Sequence, residues 1–201
     1  MAKTTQASRL LQYIESHGMV RPRDLEAIGV DRRVLKRLFD RGQLVRRSRG
    51  VYTMADHEPT RHTDLAEVCA RAPSVTVCLI SALDFHELTT QVAHAVWVMI
   101  ARAGRRPKIE QPPIRIIYAS GEALTAGVET HEIEGVQVPI TTPAKTVADC
   151  FKYRDHVGRD VAVEALRDCL RQRKATPAQI YDMARIDRVT QTVRPYIEAL
   201  T

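Results

Sequence analysis

No stretch of the 201-residue sequence approaches the ~18 consecutive apolar residues of a membrane-spanning helix. The opening residues, MAKTTQASRLLQYIE, also lack the apolar core of a secretory signal. A cytoplasmic protein with no membrane partner is the expectation. The four cysteines, Cys69, Cys78, Cys150 and Cys169, form no C-x-x-C pair and sit among apolar neighbours. That pattern favours reduced, half-buried thiols over zinc ligands or disulfides. There is no Walker A loop, no G-x-S-x-G elbow, no H-x-x-x-H or His/Cys cluster, and no closely paired carboxylates beside a lysine. Phosphate-cradling, nucleophilic-serine and metal-dependent nuclease chemistry therefore lack their residues. No catalytic residue, cofactor or metal is expected, and no sustained heptad pattern suggests a dedicated coiled-coil dimer.

What is present is ordinary in amount and unusual in distribution. A hydrophobic share of 44% with 27% charged residues suits a globular chain with a real core. The net charge is +6, but residues 1–50 hold 12 Lys and Arg against 5 Asp and Glu, a net of +7. The other 151 residues carry 18 against 19 and are nearly neutral. Such asymmetry predicts a polyanion-binding module attached to an electrically neutral body.

The basic quarter reads as a helix-turn-helix with a wing. Leu10, Leu11 and Ile14 predict a helix over 8–17, stopped by Gly18. Pro22 and Gly29 bracket a short second helix, and a third runs from an Asp31 cap to Gly42. On this third helix Val34, Leu35, Leu38 and Phe39 share one face. Arg32, Arg33, Lys36, Arg37 and Asp40 share the other. A solvated surface usually interleaves acids with its bases, so a face this cationic points to DNA. Gln43 to Thr53 then reads as two short strands around Ser48 and Gly50, a wing whose tip carries Arg46, Arg47 and Arg49. Arg9, Arg21 and Arg23 are either further backbone contacts or plain surface residues. Residues 1–56 are the expected DNA-binding domain, with Arg32, Arg33, Lys36, Arg37, Arg46, Arg47 and Arg49 on double-stranded DNA.

The order L-x-x-I-x-x-x-G, R-x-x-D-L-x-x-x-G-V and R-x-x-L-x-R-L-x-x-R-G-x-L-x-R-x-x-R-G-V-Y resembles the N-terminal domain of the AbiEi-type antitoxins of type IV toxin-antitoxin systems. Ser81 to Thr89 is similar to that family's S-A-L-x-x-H-x-L-T segment, and Thr142 to Asp149 to its T-P-x-[KR]-T-x-x-D segment. The resemblance implies a transcriptional autorepressor that binds promoter repeats of its own operon. It also implies a C-terminal domain that counters a nucleotidyltransferase-like toxin without necessarily forming a stable complex.

For residues 57–201 the expectation is an α+β antitoxin domain with a small sheet and C-terminal helices. A polar linker covers 56–63. Strands are expected at 74–79, 95–100 and 114–118, with a hairpin at 128–133 and 136–140 turning on Glu134-Gly135. Helices are expected at 81–88, from Thr142-Pro143 to Lys152, at 161–171, from Thr176-Pro177 to Ala184, and at 189–200. Ser81 and His86 are too poorly aligned on a helix for a catalytic pair; Ser81 would cap and His86 would pack. Lys145 and Asp149, four apart, predict an ion pair. Two other functions fit the composition: a one-component regulator whose C-terminal domain senses a small molecule, and a DNA-targeted nuclease, which the missing carboxylates disfavour.

Overall fold

A computed structural model of the chain describes residues 5–201. They divide into two compact units, Met1–Pro73 with Glu132–Gln137, and Ser74–His131 with Val138–Thr201. The architecture is α+β: a winged helix-turn-helix, then a mixed sheet, then helices.

In the first unit α1 spans Gln6–His17. The Thr5 hydroxyl accepts the Ser8 N–H at 3.1 Å to open it, and Gly18 ends it. The second helix expected from the sequence is not regular: residues 22–29 form a run of turns. Its main chain closes by i→i+3 bonds such as Asp24 N–H to Arg21 C=O, 2.9 Å, and Gly29 N–H to Glu26 C=O, 3.1 Å. Helix α2, Arg32–Asp40, and the antiparallel strands β1, Leu44–Ser48, and β2, Val51–Met54, complete the motif. Val20 exchanges both main-chain bonds with Tyr52, at 2.9 and 3.0 Å, and so gives the wing a minimal third strand. Leu10, Ile14, Leu25, Leu35, Leu38 and Leu44 are the centre of the core. Helix α3, Thr63–Arg71, follows.

In the second unit come β3, Thr76–Val77; α4, Leu79–Phe85; β4, Val96–Ala101; β5, Ile114–Ala119; and the single turn α5, Glu122–Thr125. The expected strand over 74–79 is thus two residues long, and the helix begins at Leu79. An unbroken apolar run looks alike as a buried strand or a buried helix start, which is why periodicity misplaces this boundary. The turn α5 has no apolar period and was not expected. The hairpin strands β6, Val128–Ile133, and β7, Val136–Thr141, lie where the Glu134-Gly135 turn predicts. Five helices end the chain: α6, Pro143–Lys152; α7, Arg154–Val157; α8, Arg159–Arg171; α9, Pro177–Ile186; and α10, Thr190–Leu200. Strand order is β5-β4-β3-β7-β6; β3 is antiparallel to β4 and parallel to β7, and β4 is parallel to β5. Helices α4, α6, α8, α9 and α10 share with β4 and β5 one core that includes Leu83, Met99, Ile117, Phe151, Leu166 and Ile197.

Candidate nucleic-acid interface

Helix α2 is closed at both ends by its own sequence. The Asp31 carboxylate accepts the Arg33 N–H at 2.7 Å. At the other end Gly42, at φ +72°, lets its N–H reach the Phe39 carbonyl at 2.9 Å, while the Gln43 N–H reaches that of Leu38 at 3.0 Å. This pair of bonds is the glycine-terminated cap that stops a helix where the left-handed conformation costs least. Val34, Leu35 and Leu38 are buried. Arg32, Arg33, Lys36 and Arg37 are all exposed, as the spacing predicts.

The placement of these cations opposes helix stability. Arg32 and Arg33 occupy the first turn, which holds no acidic residue. A cation there loses roughly 0.3–1 kcal/mol to the positive end of the helix dipole. A phosphate near this turn would gain from both guanidinium groups and from the dipole, in competition with the Asp31 carboxylate that already caps the Arg33 N–H.

One member is already occupied. Lys36 Nζ lies 2.6 Å from the Asp40 carboxylate, and both side chains are mostly exposed. An exposed pair of this spacing contributes only ~0.3–0.5 kcal/mol, so a phosphate can displace the aspartate. Among the described residues Arg32, Arg33 and Arg37 have no ion-pair partner. Arg41, one turn beyond Arg37, is exposed as well and was not singled out from the sequence, although its spacing from Arg37 marks it. Phe39 also differs from expectation: it is 41% exposed and meets Tyr52 edge to face at 5.8 Å, rather than joining the core. With Pro22, Leu35, Arg32 and Lys36 these two rings line a shallow groove along α2.

The wing arginines are exposed but are not all at the tip. Arg46 and Arg47 belong to β1, with Arg46 opposite Tyr52, and only Arg49 lies in the turn, beside Gly50 at φ +79°. The register slips between Arg46 and Ser48, so Arg47 sits in a bulge. Arg46 Nε donates to the Ser48 carbonyl at 3.2 Å. Bulges twist a strand and re-aim its side chains.

Arg9, Arg21 and Arg23 are held by the protein itself. Arg9 donates to the Ile28 carbonyl at 3.3 Å. Arg21 forks onto Asp24 with two bonds of 2.7 Å, and Arg23 donates to the Ala70 carbonyl at 2.8 Å.

In the second unit the residues singled out from the sequence serve the fold. Ser81 Oγ accepts the Trp97 N–H at 2.9 Å, which fastens α4 to β4 instead of capping the helix. His86 Nε2 is 2.7 Å from the Thr141 carbonyl, and burial lowers its pKa. Lys145 and Asp149 do pair, fully buried, with Asp187 as a third member. All four cysteines are free and buried, and burial pushes Cys69 up to about 12 and Cys169 to about 11. Such thiols are inert as nucleophiles. Among the described residues no three His, Cys, Asp or Glu side chains gather as metal ligands. No helix there is long and apolar enough to cross a membrane.

Residues 8–55, the winged helix, match the family model described as transcriptional regulator, AbiEi antitoxin. The match supports the role of a DNA-binding regulator. No curated protein matches the chain. Among solved structures the crystal structure of the RV2827C protein from Mycobacterium tuberculosis is similar at a TM-score of 0.59. It is 14% identical, with 89% of this chain and 70% of that one covered. At that identity the likeness concerns the fold alone.

Proposed function

We propose that this protein is a DNA-binding transcriptional autorepressor and the antitoxin of a type IV toxin-antitoxin pair. In this reading residues 1–56 dock on promoter repeats of its own operon in the cytoplasm. Helix α2 enters the major groove, where Arg32, Arg33, Lys36 and Arg37 reach base edges and phosphates. Arg46, Arg47 and Arg49 grip the adjacent backbone. Residues 57–201 counter a nucleotidyltransferase-like toxin without enzymatic activity and without needing a stable complex.

The observation that carries the DNA-binding half is the first turn of α2. Its one acid is the Asp31 cap, and among the described residues its two arginines have no ion-pair partner, on a helix whose other face is buried. The test is a gel shift on the promoter of the protein's own operon with Arg33→Ala/Arg37→Ala. Affinity should fall while the melting temperature holds; equal affinity in a folded double variant would remove the assignment of α2. For the antitoxin half, co-expression with the adjacent reading frame should restore growth to cells that the neighbour alone arrests. A metabolic gene there, with no growth arrest, would refute that half and leave the first intact.

A further inference from the structure

One edge of the five-stranded sheet is open. In the order β5-β4-β3-β7-β6, β5 has β4 on one side and, among the described residues, no strand on the other. The register decides which groups face outward. The Val96 N–H donates to the Pro113 carbonyl at 2.8 Å, and the Arg102 N–H to that of Ala119 at 2.9 Å. Odd-numbered residues therefore turn their main-chain groups toward β4. The alternation of a parallel ladder turns those of Ile114, Ile116 and Tyr118 to the open side. Of these groups only the Tyr118 carbonyl has a partner among the described residues, the Tyr153 hydroxyl at 3.4 Å. An unpaired row of this kind is a template for another strand.

The side chains around the edge select what that strand can be. Tyr118 is 43% exposed, and Ile114 and Ile116 are half-buried beside it. A cavity of about 370 Å³ opens there, bounded also by Trp97, Arg106 and His156. Arg106 and Arg115 border this cavity, and Arg102, Arg105 and Lys108, in the segment that leads from β4 into β5, are exposed as well, against the single acid Glu110 in that segment. Arg115 lies over the Trp97 ring, 5.1 Å from its centroid. A second copy pairing through its own β5 would bring another such set of cations face to face with the first. A DNA duplex would satisfy the cations but offers no N–H and C=O groups at the two-residue strand repeat of ~6.6 Å.

We propose that the open edge of β5 docks an extended acidic segment of a partner protein, which adds a sixth strand to the sheet. Main-chain bonds to Ile114, Ile116 and Tyr118 would hold the strand, the basic rim would select acidic sequence, and the apolar row would take alternate side chains. The inference is independent of DNA binding by α2.

The experiment is selection from a displayed library of random peptides of about ten residues against the full chain. Hydrogen exchange at the amides of Ile114, Ile116 and Tyr118 follows for the winners. Enrichment of acidic, β-branched sequences that protect these amides is the expected result. Ile116→Pro removes an outward N–H without touching the ladder to β4. It should weaken the selected peptides about tenfold, as one or two main-chain bonds would. Should proline disturb the strand, Arg105→Glu/Arg106→Glu tests the rim on exposed residues and should weaken acidic peptides alone. The proposal is overturned by no enrichment, by basic winners, or by peptides indifferent to both variants. It is equally overturned if duplex DNA protects the same amides, or if the protein self-associates through this edge without peptide.

Discussion

Asp187 places a carboxylate oxygen 3.0 Å from the ammonium of Lys145, across 42 positions of sequence. Asp149, one turn further along α6, holds the same ammonium, and Lys152 holds the other oxygen of Asp187 at 3.0 Å. Lys145 and Asp149 have no exposed surface. Burial alone would lower the Lys145 pKa, but the two aspartates outweigh it and hold it above the ordinary lysine value. Burial pushes Asp149 up, against the pull of Lys145. Lys145→Met strands the Asp149 carboxylate in the core, leaves Asp187 with Lys152 alone, and should cost roughly 3–5 kcal/mol in urea unfolding. Adding Asp149→Asn should recover part of that loss. A Lys145→Met protein as stable as wild type would show that the network is not the clamp between α6 and the turn after α9.

The same residues show how far a single sequence carries. Thr142, Pro143, Lys145 and Asp149 sit close together in the chain, so the start of α6, its cap and the ion pair at spacing four are all local signals. Asp187 is not local, and nothing in its neighbours distinguishes it from a surface aspartate. The interface divides likewise. Helical period and the Asp31 and Gly42 caps suffice to expose Arg32, Arg33, Lys36 and Arg37. The Lys36–Asp40 and Arg21–Asp24 pairs are as local as Lys145–Asp149, whereas that Arg47 sits in a bulge and that Arg23 reaches the Ala70 carbonyl depend on register and on distant chain, which periodicity does not encode. At 22–29 Pro22 and Gly29 stand where a helix would have them, yet the segment closes as turns, a choice that these two residues do not settle.

A second long-range contact has a pH signature. The Glu134 carboxylate accepts the Thr60 hydroxyl at 2.7 Å and the Thr63 hydroxyl, with His57 Nε2 3.4 Å away. Burial alone would raise its pKa, but the hydrogen bonds from Thr63 and Thr60 and the charge of His57 hold it below the ordinary value of 4.5. A lowered folded pKa contributes stability that is complete above 4.5 and lost as pH falls through the folded value. The stability gap between wild type and Glu134→Gln should therefore shrink as pH falls below 4.5. A gap that does not change from pH 7 to pH 3 would mean that hydrogen bonding without charge accounts for the contact.

Beside it, Gly135 is confined more tightly than its turn requires. At φ +68° an added Cβ would lie 2.4 Å from both the Cβ and the carbonyl oxygen of His17. Gly50, at φ +79°, has nothing within 4 Å of the same atom. Gly50→Ala should pay only the left-handed backbone cost, about 1 kcal/mol. Gly135→Ala should pay that plus the overlap with His17, and so lower the melting temperature by several degrees more. Equal melting shifts in the two variants would indicate that α1 and the hairpin turn yield freely.

The wing and α2 should separate in their dependence on salt. Phosphate contacts release counterions, and each one lost flattens the slope of log K against log salt by about 0.9. Base-edge contacts carry sequence preference and little of that slope. Arg46, Arg47 and Arg49 lie on or beside β1, an element separate from the helix that enters the groove in the proposed complex. Replacing all three by alanine should weaken binding evenly across operator and scrambled duplexes and lower the slope by about 2–3. Arg33→Ala/Arg37→Ala should instead narrow the gap between operator and scrambled DNA. If the wing variant lost discrimination and kept the slope, the wing rather than α2 would be the reader of sequence. The helix-first docking would then have to be inverted.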